Sequence, residues 1–164
     1  AAAHANEFEL VVNGIKNEED IGGQVSLVEQ MMAIQVDALV IAPADSKAMV
    51  AVLERAIKSG IKVVNIDNKL DDAILAERNL QIPFVGPDNR KGARMAGEYL
   101  ASKLSPGVKA AIIGGIPSAF NAIQRKNGFE DAMTAAQIEI AASQSANWEM
   151  NKASQVVSDR KSVV

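Results

Sequence analysis

Four side chains stand where apolar runs give way to polar clusters, and their types suit work on a small molecule. Asp67 and Asn68 follow the run "IKVVNI" (61–66), Arg125 lies in "NAIQRKNGF", and Trp148 closes "QSANW". An acid, an amide, a guanidinium and an indole suit a neutral ligand with many hydroxyls. The two oxygens of a carboxylate, or the fork of a guanidinium, pair with vicinal hydroxyls, and hydrogen bonds to charged groups contribute about 1.5–3 kcal/mol each. A flat indole matches the C–H face of a ring and buries much area at small entropic cost. Plainer readings stand beside these. Asp67 also fits a turn cap, a common use of Asp and Asn. Arg125 also fits a helix surface, and Trp148 a core or helix-start aromatic.

Other chemistries find little support. The turn "IIGGIPSAF" matches neither G-x-G-x-x-G nor G-x-x-x-x-G-K-[ST], and no G-x-S-x-G occurs. His4 is the only histidine and reads as a solvated residue near a chain end. With no cysteine, disulfides and thiolate metal sites are excluded. No nucleophile, metal set or phosphate loop stands out, so neither an enzyme nor a cofactor is expected. A net charge of -3 without a basic block argues against nucleic acid as a partner. No apolar run reaches the roughly 18–20 residues that span a bilayer. The start, "AAAHANEFELVV", is not a secretory signal, because it lacks a basic region and polar residues break its apolar stretch.

The elements that must hold these residues alternate. Apolar, β-branched runs occur at 8–12, 38–42, 61–66, 83–86, 108–115 and 138–142. Helical spacing links Val25, Leu27, Val28, Met31 and Met32, and again Met49, Val50, Leu53 and Ile57, with Asp45 and Ser46 as caps and Gly60 past the end. Further helices are predicted after Asp88, over about 119–135 and over about 149–159. Strands alternating with helices predict an α/β fold of right-handed βαβ units, with parallel sheets covered on both faces. In such sheets ligands bind beyond the carboxyl ends of the strands, which is where the four residues fall.

In that order the segments resemble a family. Residues 11–68, "VVNGIKNEEDIGGQVSLVEQMMAIQVDALVIAPADSKAMVAVLERAIKSGIKVVNIDN", resemble the first lobe of periplasmic sugar-binding proteins of the ribose-binding type. "PFVGPDNRKGARMAGEYLASKL" resembles the segment that crosses between their lobes. "VKAAIIGGIPSAFNAIQRKNGFEDAM" and "IEIAASQSANWEMNKASQVVSD" resemble the start of the second lobe. The resemblance implies two Rossmann-like lobes, 1–87 and 88–164, hinged around one sugar. The family's strand-end Asp falls on Asp67, while the residue after it, often Arg, is Asn68 here. The ligand arginine, three residues before a Gly-Phe pair, falls on Arg125, and the aromatic after "Q-x-A-D/N" falls on Trp148. Asn121, one helical turn before Arg125, is a further candidate. The Asn that precedes the Pro of "P-x-D-S" in ribose binders is Ala42 here.

The family pattern also begins earlier and ends later than this sequence. A fragment lacking the first strand of the first lobe and the later part of the second is therefore expected, with the runs at Phe8 and Ala38 unable to pair. The resemblance implies a sugar or polyol ligand and the membrane permease of an ABC transporter as partners. It implies a periplasmic or extracellular location, membrane-associated in a Gram-positive cell. The effector core of a lactose-repressor-type regulator shares the fold and stands as the alternative, with a small Rossmann-like enzyme behind it.

Overall fold

Alternating runs become two separate parallel sheets, with helices in the connections. The computed structural model describes residues 8–105 and 107–159. The first half contains α1 (Ile21–Ala33), β1 (Ala38–Ile41), α2 (Val50–Lys58), β2 (Lys62–Ile66), α3 (Asp72–Glu77) and β3 (Phe84–Val85). Its strands lie in the order β1-β2-β3, all parallel, and Asn65 of β2 sits level with Ile41 and Phe84. The second half contains α4 (Asn89–Ala101), β4 (Lys109–Gly114), α5 (Phe120–Ala135), β5 (Glu139–Ser145) and α6 (Met150–Ser158). There β4 pairs in parallel with β5, with a register irregularity between Ala110 and Ala111.

The main core belongs to the first half. Helix α2 and the residue before it bury Met49, Val50, Leu53 and Ala56 against Ile41 and Val63 of the sheet, Ile61 just before β2, and Val28 of α1. Met49 and Leu53 are fully buried, and such burial stabilises by about 1.5–3 kcal/mol per side chain. The chain leaves α2 through Gly60 at φ 93°, a left-handed conformation that glycine takes without a Cβ clash. In the second half, α4 and α5 come close because both carry glycine at the contact. Gly97 faces Ala132 and Phe129, and Gly128 lies directly on the backbone of Arg90. Arg90 also donates two hydrogen bonds, of 2.8 and 3.1 Å, to the Asp131 carboxylate, which lower the carboxyl pKa of Asp131.

Several expectations need correction. Neither Asp45 nor Ser46 caps α2, which starts at Val50 behind Met49 with no side-chain cap; Asp45 accepts from the Lys47 and Ala48 N–H groups in the preceding turn, and Ser46 serves another helix. Phe8–Val12 forms no strand; its residues are exposed and lack regular structure. A strand needs a neighbour for its backbone groups. In the family pattern another strand lies between this run and β1, and no described residue supplies it. Among the described residues the outer edge of β1 is unpaired, and Val40 on it is 63% exposed. Helix α3 was not anticipated; six residues carry too little periodicity to read, although Asp71 caps it by accepting from the Ile74 N–H at 3.0 Å. Strand β5 runs to Ser145, beyond the apolar residues that suggested its end at Ala142. His4 lies outside the described residues. Among the described residues, no helix is long and apolar enough to cross a membrane, and no cluster of His, Cys, Asp or Glu could hold a metal ion.

Candidate functional site

The tip of β2 is built from three residues with different duties. Asp67 has φ 57°, a conformation that Asp adopts more readily than most residues. Its backbone N–H reaches the Val85 carbonyl at 3.3 Å, while its carboxylate is exposed, with no hydrogen bond or ion pair among the described residues. Asn68 is buried. Its Nδ2 donates to the Pro43 carbonyl at 2.9 Å, and its Oδ1 accepts from Ser46 Oγ at 3.4 Å and from the Asn121 N–H at 3.3 Å. Beneath them, Asn65 is 1% exposed and bonds to both ends of the loop.

The second half supplies the other candidates. Trp148 follows β5 in a left-handed conformation, φ 61°, directly after Asn147 at φ 53°. A bulky residue with positive φ is an outlier, and strain of this kind gathers at functional sites. The indole lies flat against Gly115, so closely that a side chain there would overlap it, and it remains 40% exposed. Arg125 and Trp148 line one hollow of about 480 Å³, together with Asn89, Ile113, Gly115 and Phe129. Arg125 Nε donates to the Oδ1 of buried Asn89 at 2.8 Å, which leaves its terminal nitrogens without partners among the described residues. Asp67 and Asn68 do not line this hollow.

The halves are joined at the start of α5. Residue Ala119, at the N-cap, has no side chain that could cap the helix. The first half caps it instead: the Phe120 N–H donates to Ser46 Oγ at 3.1 Å, and the Asn121 N–H donates to Asn68. Beside these, Ser118 Oγ donates to Asp45 at 3.1 Å, and the Lys69 ammonium sits 5.8 Å above the Phe120 ring. Burial raises the pKa of the Asp45 carboxyl. The N–H groups of Ala48 and Lys47, the Ser118 hydroxyl and the Lys47 charge together outweigh that effect and hold it below its ordinary value. Asn121 is buried, with an Oδ1 that has no partner among the described residues. Elsewhere between the halves, Glu19 accepts from Lys152 at 2.8 Å and from Asn147 at 2.7 Å, and these bonds lower its carboxyl pKa.

Of the five residues named from sequence, Asn68 and Asn121 meet, Arg125 and Trp148 share a hollow, and Asp67 stands next to the joint. Ser46, Asn65 and Asn89 were not singled out for the site. A signal existed for Asn65, an amide set between apolar Val64 and Ile66 in a strand, because a buried amide must be paired.

A model of the periplasmic binding protein domain matches residues 1–162. The chain belongs to the periplasmic binding protein family. A D-ribose/D-allose-binding protein of Pseudomonas aeruginosa is 55% identical over 155 residues, which are 94% of this chain and 49% of that protein. The ribose import binding protein of Bacillus subtilis is 34% identical over 135 residues, 82% of this chain and 42% of its own length. An ABC-type solute-binding protein of Burkholderia multivorans superposes with a TM-score of 0.91 at 48% identity, covering 97% of this chain and 58% of that one. A periplasmic solute-binding protein of Actinobacillus succinogenes with bound D-allose gives 0.83 at 36% identity, covering 90% and 52%. As a periplasmic binding protein, the chain thus spans about half the length of the curated relatives it matches. Its parallel sheets flanked by helices are the family's fold, and its relatives are sugar-binding transport proteins.

Proposed function

We propose that the protein is the sugar-binding component of an ABC-type importer and holds a pentose, hexose or polyol between two lobes, 1–87 and 88–164. Its working place is then the periplasm or the cell exterior, and its partner is a membrane permease. The observation that carries the reading is the meeting of the β2 tip of one sheet with the start of α5, the helix that follows β4 of the other sheet, at Asn68 and Asn121. Asp67 stands next to that joint on one side. Arg125 lies one helical turn along α5 on the other, in a hollow shared with Trp148.

In this account the free carboxylate of Asp67 and the free terminal nitrogens of Arg125 pair with ring hydroxyls, and the indole covers an apolar ring face. Asn68 and Asn121 serve mainly as the joint, since the Asn68 amide is already engaged at both ends. The unpartnered Oδ1 of Asn121 remains an acceptor for a ligand hydroxyl. Sugar that touches both lobes stabilises the arrangement in which they meet, and the permease reads that shape. The names of the relatives point to D-ribose and D-allose as the first sugars to try.

A thermal-shift panel of sugars and polyols on the intact protein tests this. A ligand that binds only the folded state adds about 2.7 kcal/mol at a hundred times its Kd. One or more sugars should raise the melting temperature in a dose-dependent way. A panel with no shift refutes the reading.

A further inference from the structure

The residues on either side of Asn65 in β2, Val64 and Ile66, are apolar, yet Asn65 itself is the most buried polar residue among those described, 1% exposed. An amide in that position is costly unless all its groups are used. Asn65 uses them on one target. Its Oδ1 accepts from the Leu70 N–H at 2.9 Å, and its Nδ2 faces the carbonyls of Asn68 at 2.8 Å, Ile66 at 3.2 Å and Ile41 at 3.4 Å. These bonds bracket residues 66–70 and tie them to the end of β1. Asp67 lies inside the bracket, in a left-handed conformation, with a side chain that does nothing to hold itself there. Asn68, whose amide caps α5, is fixed through its own carbonyl by the same bracket.

We propose that Asn65 is the positioning residue of the binding site: it shapes the β2 tip so that the Asp67 carboxylate faces the ligand and the Asn68 amide meets α5. The proposal rests on the sugar-binding reading. It predicts that Asn65 governs affinity through loop geometry and not merely through the stability of the core. An apolar residue in its place would pack as well and leave residues 66–70 without their internal partners.

The test compares Asn65→Ala, Asn65→Asp and, as a control on the same strand, Val63→Ala in the intact protein. Two quantities are read: hydrogen-exchange protection of the Leu70 amide, and affinity for D-ribose and D-allose by calorimetry. Asn65→Ala should lose Leu70 protection and about tenfold or more in affinity, while Val63→Ala keeps wild-type affinity despite its lower melting temperature. Asn65→Asp keeps the acceptor and regains a donor only when protonated, so its affinity relative to the wild type at the same pH, which cancels the Asp67 carboxylate common to both, should rise as the pH falls towards the carboxylate range. If Asn65→Ala does not fold, Asn65→Asp carries the test by this pH profile. Retained Leu70 protection in Asn65→Ala, an affinity loss no larger than that of Val63→Ala, or an Asn65→Asp to wild-type affinity ratio that does not change with pH overturns the proposal. A wild type that binds no sugar or polyol of the thermal-shift panel points instead to failure of the sugar-binding reading, and Leu70 protection then still judges the hold of Asn65 on the loop.

Discussion

Replacing Gly115 with alanine sets a methyl group against the Trp148 indole. A Cβ built at Gly115 lies 2.6 Å from Cζ2 of the ring and closer still to Cε2 and Nε1. Non-bonded carbons rest about 3.5–4.0 Å apart, so the indole must retreat by about 1 Å or more. Overpacking a closed core costs about 1–3 kcal/mol, but this ring is 40% exposed and free to swing outward. Gly115→Ala should therefore cost less than about 1 kcal/mol of stability by denaturant titration. The displaced ring loses its face-on contact with the sugar, and an affinity loss of about tenfold is expected, equivalent to about 1.4 kcal/mol. Trp148 is the only Trp of this sequence, so within it the emission reports this site. The variant should show a shifted emission and a smaller response to sugar. Wild-type emission together with wild-type affinity would refute the reasoning, since the ring would then be neither displaced nor involved.

Arg125→Ala should weaken sugar binding by at least about 1.5–3 kcal/mol while leaving the fold intact, as read by calorimetry and circular dichroism. Gly128→Ala should act on stability instead. Its Cβ would lie 2.9 Å from the Arg90 carbonyl carbon and 3.0 Å from the Arg94 nitrogen, both backbone atoms that cannot swing aside, and denaturant unfolding should show a loss of about 3 kcal/mol or more. Ser46→Ala removes the cap on the Phe120 N–H and should cost about 0.5–2 kcal/mol in the same assay. For Asp45 the folded pKa is depressed, so the unfolded chain binds the proton more readily. Its contribution is present above the ordinary carboxylate pKa and is lost as the pH falls through the lower folded value. Acid titration of the wild type should therefore show a greater stability loss over that range than titration of Asp45→Asn.

Periodicity made most of the fold legible. Buried strands such as Lys62–Ile66 read as apolar runs, and the α2 face of Met49, Leu53 and Ala56 follows helical spacing. Phe8–Val12 read as a strand for the same reason, but a strand depends on its neighbour, and composition does not reveal whether that neighbour is present. The candidate tips were legible because polar residues end apolar runs. The joint was not, because the capping of Phe120 and Asn121 by Ser46 and Asn68 spans 74 and 53 residues of sequence. Asn65 gives no such run-end signal, because it lies within the strand and not at the tip, and its partners in the 66–70 loop show only in the folded chain.

The most direct test is a crystal structure of the intact protein grown with D-ribose or D-allose. The account predicts one sugar between the lobes, its hydroxyls on the carboxylate of Asp67 and the guanidinium of Arg125, and its ring against Trp148. A sugar bound elsewhere, or one touching neither Asp67 nor Arg125, would contradict it.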